Sequence, residues 1–313
     1  MTIERKPGQE AGRNPVGFGV FVTPRAEAID SLRSNVLTAE QAGFDYVSVQ
    51  DHPYQPGFLD AFALLGALIG DTEQLRLMPN VANLPLRPPP MLAKTSASLD
   101  LLSGGRFELG LGGGRNWPQI AGLGGPTWSP GEVMTAIDET ITALHTLWTP
   151  NRTANLDGSI YTLQAETGPA PAHNIGIWLG AMGPRMLDLL GRRADGWIAP
   201  LSTGFETKLA AQDRIDQATI AAGRSPTDVR RVIQLVGAVS SSPRTTERPR
   251  SGPGAQPIVT TPEIWGRIIA EFIVGERFDT VNLVPRPETP EQIALFGNQV
   301  IPAARTEISK ALS

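Results

Sequence analysis

Eight times along this chain, a short apolar stretch with strand periodicity is followed by a segment of helical length and pattern, with glycine or proline between them. The strand-like stretches are "VGFGVFV" (16–22), "FDYVSVQ" (44–50), "LRLMPNV" (75–81), "RFELGLG" (106–112), "IGIWLG" (175–180), "DGWIAP" (195–200), "VRRVIQLVGAV" (229–239) and "FDTVNLVP" (278–285). A strand that feeds a helix and then another strand builds a parallel sheet with helices outside it. Eight such units without a break in composition predict a single closed (β/α)₈ TIM barrel over residues 16–313, and 313 residues is an ordinary length for one. Gly43 suits the end of the first helix, prolines open the helix after Asn83, and paired glycines at 104 and 105 close it. "NLDGSIYTL" predicts a hairpin around Asp157-Gly158 outside the eightfold pattern.

Two segments fall outside this rhythm. Residues 1–15 are polar and read as a loose N-terminal segment. Residues 240–257, "SSSPRTTERPRSGPGAQP", are basic, rich in proline and glycine and without periodicity; they read as a flexible insertion, disordered or a mobile lid, after the seventh strand.

Composition narrows the chemistry. A net charge of −4 without a basic stripe argues against nucleic acid, and no apolar run approaches the length of a membrane span. The opening lacks a secretory signal, so the expectation is a cytoplasmic protein acting on a small molecule. With no cysteine there is no thiolate ligand or nucleophile, and any redox chemistry must come from a bound cofactor. The three histidines have no metal-ligand spacing, so no metal is expected.

Asp51 and His52 follow the second strand, at the barrel end where this fold places its chemistry. A histidine moves protons near neutral pH, and a neighbouring carboxylate can fix its tautomer. His145, inside an amphipathic helix, and His173, in a loop, read as structural. "LGLGGGR" is not a dinucleotide fingerprint, because the third glycine would fall at Arg115 and the first strand–helix turn has no glycine. Gly112, Gly113 and Gly114 either let the chain turn at the barrel rim or leave bare backbone against a ring or phosphate. In "WLGAMGPRM" a strand ends at Gly180 and Pro184 opens a helix; either the free N–H groups there, with Arg185, make an anion site, or the glycines only serve the strand–helix turn and Arg185 is solvated, and the first reading is preferred. Asn80 and Asn83 offer amides to a heterocycle after the third strand, and Arg87 either reaches a phosphate or covers the following loop; the same residues also fit a rigid surface loop.

"AGFDYVSVQDH", "LAKTSASLDLLSGGRFELGLGGG" and "WLGAMGPRMLDLLGRRADGWIAP" together resemble the luciferase-like flavin and deazaflavin oxidoreductases, most closely the coenzyme F420-dependent members. The likeness covers about 16–239 and resumes from 260 to about 306. It implies a barrel that binds F420, or alternatively FMN, and transfers hydride to or from a small organic substrate; it also implies a homodimer. On the same resemblance Asp51 and His52 lie beside the reactive ring as the catalytic pair, and Asn80-Val81 is a non-prolyl cis bulge that supports the ring. Asp51, Asn80, Val81, Asn83, Gly112, Gly113 and Gly114 would contact the cofactor, with Gly180, Ala181, Met182, Gly183 and Arg185 at its phosphate. Sugar-phosphate dehydrogenases of this kind carry a glutamate where this chain has Arg115, so that activity is not carried over. Arg115, Trp117 and Trp128 suggest instead a substrate with an acidic or polarised carbonyl group and some apolar surface. The rivals are an oxygen-using FMN monooxygenase, a cofactor-binding protein without turnover, and a phospho-substrate isomerase on a plain barrel.

Overall fold

In the computed structural model, residues 14–313 are described, so the segment read as loose lies outside them up to position 13. The strands are β1 (Gly17–Val22), β2 (Tyr46–Val49), β3 (Arg76–Pro79), β4 (Ala82–Asn83), β5 (Leu109–Gly112), β6 (Thr153–Asp157), β7 (Thr162–Glu166), β8 (Ile177–Leu179), β9 (Gly196–Ile198), β10 (Arg230–Val239), β11 (Ile258–Thr260) and β12 (Thr280–Pro285). The helices are α1 (Ile29–Gln41), α2 (Ala61–Asp71), α3 (Pro89–Ser103), α4 (Trp117–Gly122), α5 (Pro130–Leu147), α6 (Pro184–Arg193), α7 (Phe205–Ala221), α8 (Pro262–Ala270), α9 (Pro290–Leu295) and α10 (Ile301–Leu312).

The main sheet runs β3-β2-β1-β12-β10-β9-β8-β5-β4, with every pairing parallel. β3 and β4 occupy one strand position, interrupted at Asn80-Val81. A parallel bridge from Leu77 to Phe107 joins β3 to the approach of β5 and closes the ring. The eight expected strands are therefore the eight barrel positions. β6 and β7 form the expected hairpin outside the barrel, joined by a four-residue loop at 158–161.

The barrel interior is layered by strand periodicity. Tyr46, Met78, Trp178, Ile198 and Val232 form one apolar layer; Phe21, Val236 and Val284 form another nearer the C-terminal ends of the strands. Two residues further along the strands than the first layer sits a polar one, made of Ser48, Asn80, Gln234 and Asn282. Asn80 Nδ2 donates to Gln234 Oε1 at 2.8 Å, Asn282 Nδ2 donates to Ser48 Oγ at 3.0 Å, and Gln234 Nε2 donates to the Ala199 carbonyl at 3.1 Å. Buried amides are tolerated there because they satisfy one another. Gly19 faces Tyr46: a Cβ at that position would lie 2.1 Å from the phenol ring, so only glycine lets the tyrosine cross the barrel.

Several details depart from the sequence reading. The final predicted helix is two α-helices joined through a π-turn at 296–300, and a second π-turn at 271–275 follows α8. α4 and β11 were not expected. Residues 240–257 have no helix or strand, yet they are tied down at several points. Arg248 pairs with Glu271 and Glu276 and lies 4.8 Å from the centre of the Phe272 ring. The Gly252 carbonyl accepts from Phe205 N–H at 3.3 Å, and buried Gly254 packs against the Lys208 ammonium. Lys208 also bonds the Thr203 carbonyl, and burial lowers its pKa to about 8. No helix among the described residues is long and apolar enough to cross a membrane.

Candidate active site

At the C-terminal mouth of the barrel lies a cavity of about 540 Å³. Most residues singled out in the sequence converge on it. Asp51 and His52 arrive from the end of β2, Asn80, Val81 and Asn83 from the β3–β4 interruption, Gly112 to Arg115 from the end of β5, and Gly180 and Met182 from the end of β8.

Asp51 is buried and fully engaged. Arg87 grips it bidentately, Nε to Oδ2 and Nη2 to Oδ1, both at 2.6 Å, while Asn83 N–H donates to Oδ2 at 2.9 Å. Arg87 Nη2 also reaches Asp60 Oδ2 at 2.6 Å. Asp60 in turn caps α2 by accepting from the N–H groups of Phe62 and Ala63. The Arg87 guanidinium lies 4.4 Å from the centre of the Phe62 ring. Arg87 thus binds back to the end of β2 and the start of α2, and neither a phosphate nor the loop that follows it, the two readings open to it, describes that contact. The β2 end, the β4 end and the start of α2 are locked as one unit, and His52 stands beside the lock.

His52 is half-buried and stacks on Tyr54, with ring centres 5.3 Å apart and planes 20° apart. Burial pushes its pKa below the ordinary 6.5, and the Asp51 charge draws it partly back. The imidazole is therefore neutral at pH 7, a proton acceptor lining a cavity. Tyr54 is fixed by Asn116 Nδ2, which donates to its hydroxyl at 3.0 Å.

The peptide between Asn80 and Val81 is cis, as the resemblance implies. The bulge turns Val81 toward the glycines. A Cβ on Gly112 would lie 2.4 Å from Val81 Cγ2, and one on Gly180 would lie 3.3 Å from Val81 Cγ1. A Cβ on Gly113 would meet Val133 of α5 at 2.3 Å, and one on Gly114 would meet Pro85 at 2.6 Å. The three glycines therefore let the bulge and α5 close on the end of β5. Their lack of side chains is used by the protein's own atoms, whatever else approaches them.

The α6 cluster divides. Gly180 and Met182 line the cavity, whereas Gly183 and Arg185 line an adjoining recess. Ala181 lines neither: it is 1% exposed, and its carbonyl accepts from Trp197 Nε1 at 3.1 Å. Arg115 reaches across the mouth to Ser202 Oγ at 3.1 Å. His173 lies elsewhere, bonded through Nδ1 to the buried Asp100 carboxylate at 2.7 Å. His145 lines a surface recess with Arg193, Asp195 and Arg224, away from this cavity.

Sequence reading missed Gln50, Tyr54, Val133, Met186, Leu201, Ser202 and Gln234, all of which line the cavity. Gln234 carried a signal, as a lone amide in the apolar run "VIQLV" at an inward-facing strand position. Asn83 has one further property: its Oδ1 is buried without a hydrogen-bond partner at the cavity wall. A buried amide oxygen left unpaired is a site that a ligand donor would complete. Among the described residues no group of histidine, aspartate and glutamate side chains is arranged to hold a metal ion.

A parallel barrel with a walled cavity at its C-terminal mouth, one neutral histidine and an unpaired amide defines a small-molecule enzyme scaffold with room for a planar cofactor. The family model for luciferase-like monooxygenases matches residues 16–259, and the chain belongs to that family. An F420-dependent glucose-6-phosphate dehydrogenase of Nakamurella multipartita is 31% identical over 193 residues, 59% of this chain and 56% of that protein. An F420-dependent hydroxymycolic acid dehydrogenase of Mycobacterium tuberculosis is 31% identical over 232 residues, 71% of this chain and 63% of that protein. The matches thus span less than two thirds of these relatives' lengths. An F420-dependent secondary alcohol dehydrogenase, solved with an F420–acetone adduct, superposes with a TM-score of 0.79 at 18% identity, covering 93% of this chain and 100% of that one. That likeness establishes the barrel fold.

Proposed function

We propose that the chain is a coenzyme F420-dependent oxidoreductase acting on a small organic molecule. The observation that carries the reading is the unpaired Asn83 amide oxygen on the wall of a cavity backed by the Val81 bulge, with His52 on the same wall. The relatives' common cofactor supports it. Val81 would back the cofactor ring, Asn83 would hydrogen-bond to it, and Gly180, Met182, Gly183 and Arg185 would hold its phosphate-bearing tail at the start of α6. When bound, the deazaflavin supplies a two-electron hydride carrier that does not react readily with oxygen.

The chain's own part is the proton. A neutral His52 accepts the hydroxyl proton of an alcohol as the C–H bond is oxidised; in the reverse direction the imidazolium returns it to the nascent alkoxide oxygen. Asp51 acts through position: with its oxygens committed to Arg87 and Asn83 N–H, it anchors the loop that presents His52. The polar layer of Asn80, Gln234 and Asn282 forms a fixed dipolar floor under the bulge. A homodimer in the cytoplasm is part of the same proposal, tested by light scattering and cell fractionation.

Binding of purified protein to oxidised F420 and, in parallel, to FMN tests the assignment. Deazaflavin binding at least tenfold tighter, about 1.4 kcal/mol, supports it. The family's monooxygenase members make an FMN enzyme the second reading. Preference for FMN together with oxygen consumption would move the protein there.

A further inference from the structure

Two of the side chains that line the main cavity carry a formal charge, Asp51 and Arg115. The Asp51 charge is spent, since Arg87 grips both of its oxygens at 2.6 Å and the carboxylate side chain is 1% exposed. Arg115 has no such match. Among the described residues its guanidinium makes one hydrogen bond, from Nη1 to Ser202 Oγ at 3.1 Å, and no carboxylate reaches it. With His52 neutral, the cavity therefore carries one unbalanced positive charge, held at its exposed rim.

The position of that charge ties it to the reacting end of the cavity. Arg115 lies just beyond the end of β5, and the next residue, Asn116, is the one that donates to the Tyr54 hydroxyl at 3.0 Å. Tyr54 in turn stacks on His52. Arg115, Asn116, Tyr54 and His52 thus form one chain of neighbours along the wall, whereas the cofactor tail is assigned to the start of α6, where Gly183 and Arg185 lie outside the main cavity. Ser202 follows β9, so its bond to Arg115 spans the mouth while using one of the five guanidinium N–H donors. The rest of the planar fork is free. A carboxylate matches it in charge and in geometry by accepting two parallel N–H bonds; an uncharged ligand leaves the cation unmatched, and a phosphate dianion brings more charge than one cation balances.

We propose that Arg115 is a specificity determinant that binds a carboxylate of the substrate, so that the enzyme acts on hydroxy acids and the corresponding oxo acids, with the reacting oxygen turned toward His52. The carboxylate keeps its charge when the hydroxyl becomes a carbonyl, so Arg115 holds either member of the pair. Hydride and proton leave the substrate as in the reaction above. The inference rests on the oxidoreductase reading for that reaction, but the anion binding it asserts belongs to this chain's own residues.

The test is calorimetric titration of the protein, without cofactor and again saturated with oxidised F420, with 4-methyl-2-oxopentanoate and with its uncharged amide. The acid should bind at least tenfold tighter than the amide, about 1.4 kcal/mol, and the margin should shrink as salt is raised because the guanidinium is exposed. Arg115→Met should bring acid and amide within twofold of each other. Arg115→Lys, which keeps the charge without the fork, should retain a margin of roughly threefold, and both variants should hold F420 affinity within twofold. Ser202→Ala, which removes the bond across the mouth but leaves the guanidinium, should preserve the full margin; its loss there would make Arg115 a loop latch and overturn the proposal. Equal binding of acid and amide by the native protein would overturn it too. So would a margin unchanged in Arg115→Met, and if F420 affinity fell in that variant the residue would belong to the cofactor tail. Failure of F420 to bind the native protein would refute the cofactor assignment separately, because the first titration involves no cofactor.

Discussion

Replacing Arg87 by methionine isolates the lock beneath the site. The methionine keeps an apolar stem against Phe62 but removes every donor, leaving the Asp51 carboxylate, 1% exposed, with the single N–H of Asn83. Breaking a buried ion pair from one side costs about 3–5 kcal/mol, and because Arg87 is 18% exposed the lower end, about 3 kcal/mol, applies. The lost contact to Asp60, whose side chain is 47% exposed, adds at most about 1 kcal/mol. For a chain of this size each kcal/mol moves Tm by about 2 °C, so a fall of about 6–8 °C is expected by differential scanning calorimetry at pH 7. Much of that cost is the orphaned charge, so Asp51→Asn in the Arg87→Met background should recover about 2 kcal/mol instead of adding a further loss. The urea m-value should stay constant if the native fold is retained. Arg87→Met melting within 1 °C of the native protein, or strictly additive losses in the double variant, would refute the view that the buried pair fixes this loop.

Three further outcomes follow from the geometry. With the His52 pKa held below 6.5 by burial, kcat/KM for alcohol oxidation should climb along an acid limb centred below pH 6.5, and His52→Gln should lower it by about 10²–10⁴ with F420 affinity nearly unchanged; an acid limb centred above pH 7 would contradict this. Gly113→Ala should destabilise by about 1–3 kcal/mol in urea, because its Cβ would fall 2.3 Å from Val133 Cγ1, and Val133→Ala in the same chain should restore part of the loss. The Glu108 carboxylate, 3.5 Å from Nε2, together with the Asp100 charge and its hydrogen bond to Nδ1, holds the His173 pKa above 6.5 against burial, so this histidine's contribution to stability is complete below pH 6.5 and fades as pH rises through the raised value; His173→Ala should therefore cost more at pH 6 than at pH 9 in thermal melts.

The barrel was legible because its cause is local. Period-two apolar runs, helix-length segments and the glycines and prolines between them each act over a few residues, and eight repetitions leave little choice of topology. The end of β2 was legible for the same reason, since Asp51 and His52 needed only a strand and its direction. The polar floor was not: Asn80 meets Gln234 across 154 residues and Ser48 meets Asn282 across 234, and no local pattern sets that register. Asp51 shows the same limit at shorter range, because its partner Arg87 is 36 residues away and decides whether the carboxylate is open to solvent chemistry or spent on architecture. The π-turns at 271–275 and 296–300 leave the helical stripe nearly intact while shifting the hydrogen bonding, so the sequence pattern reads through them. Glycines 112 to 114 are the sharpest instance. From sequence they offered two readings, a turn or a bare wall for a ligand, and both treated the missing side chains as empty space. Val81, Val133 and Pro85 occupy that space, from another strand position, a helix and a loop. A glycine's reason can lie in a neighbour brought to it only by the closed ring, and here that neighbour, Val81, is the residue on which the proposed cofactor ring would rest.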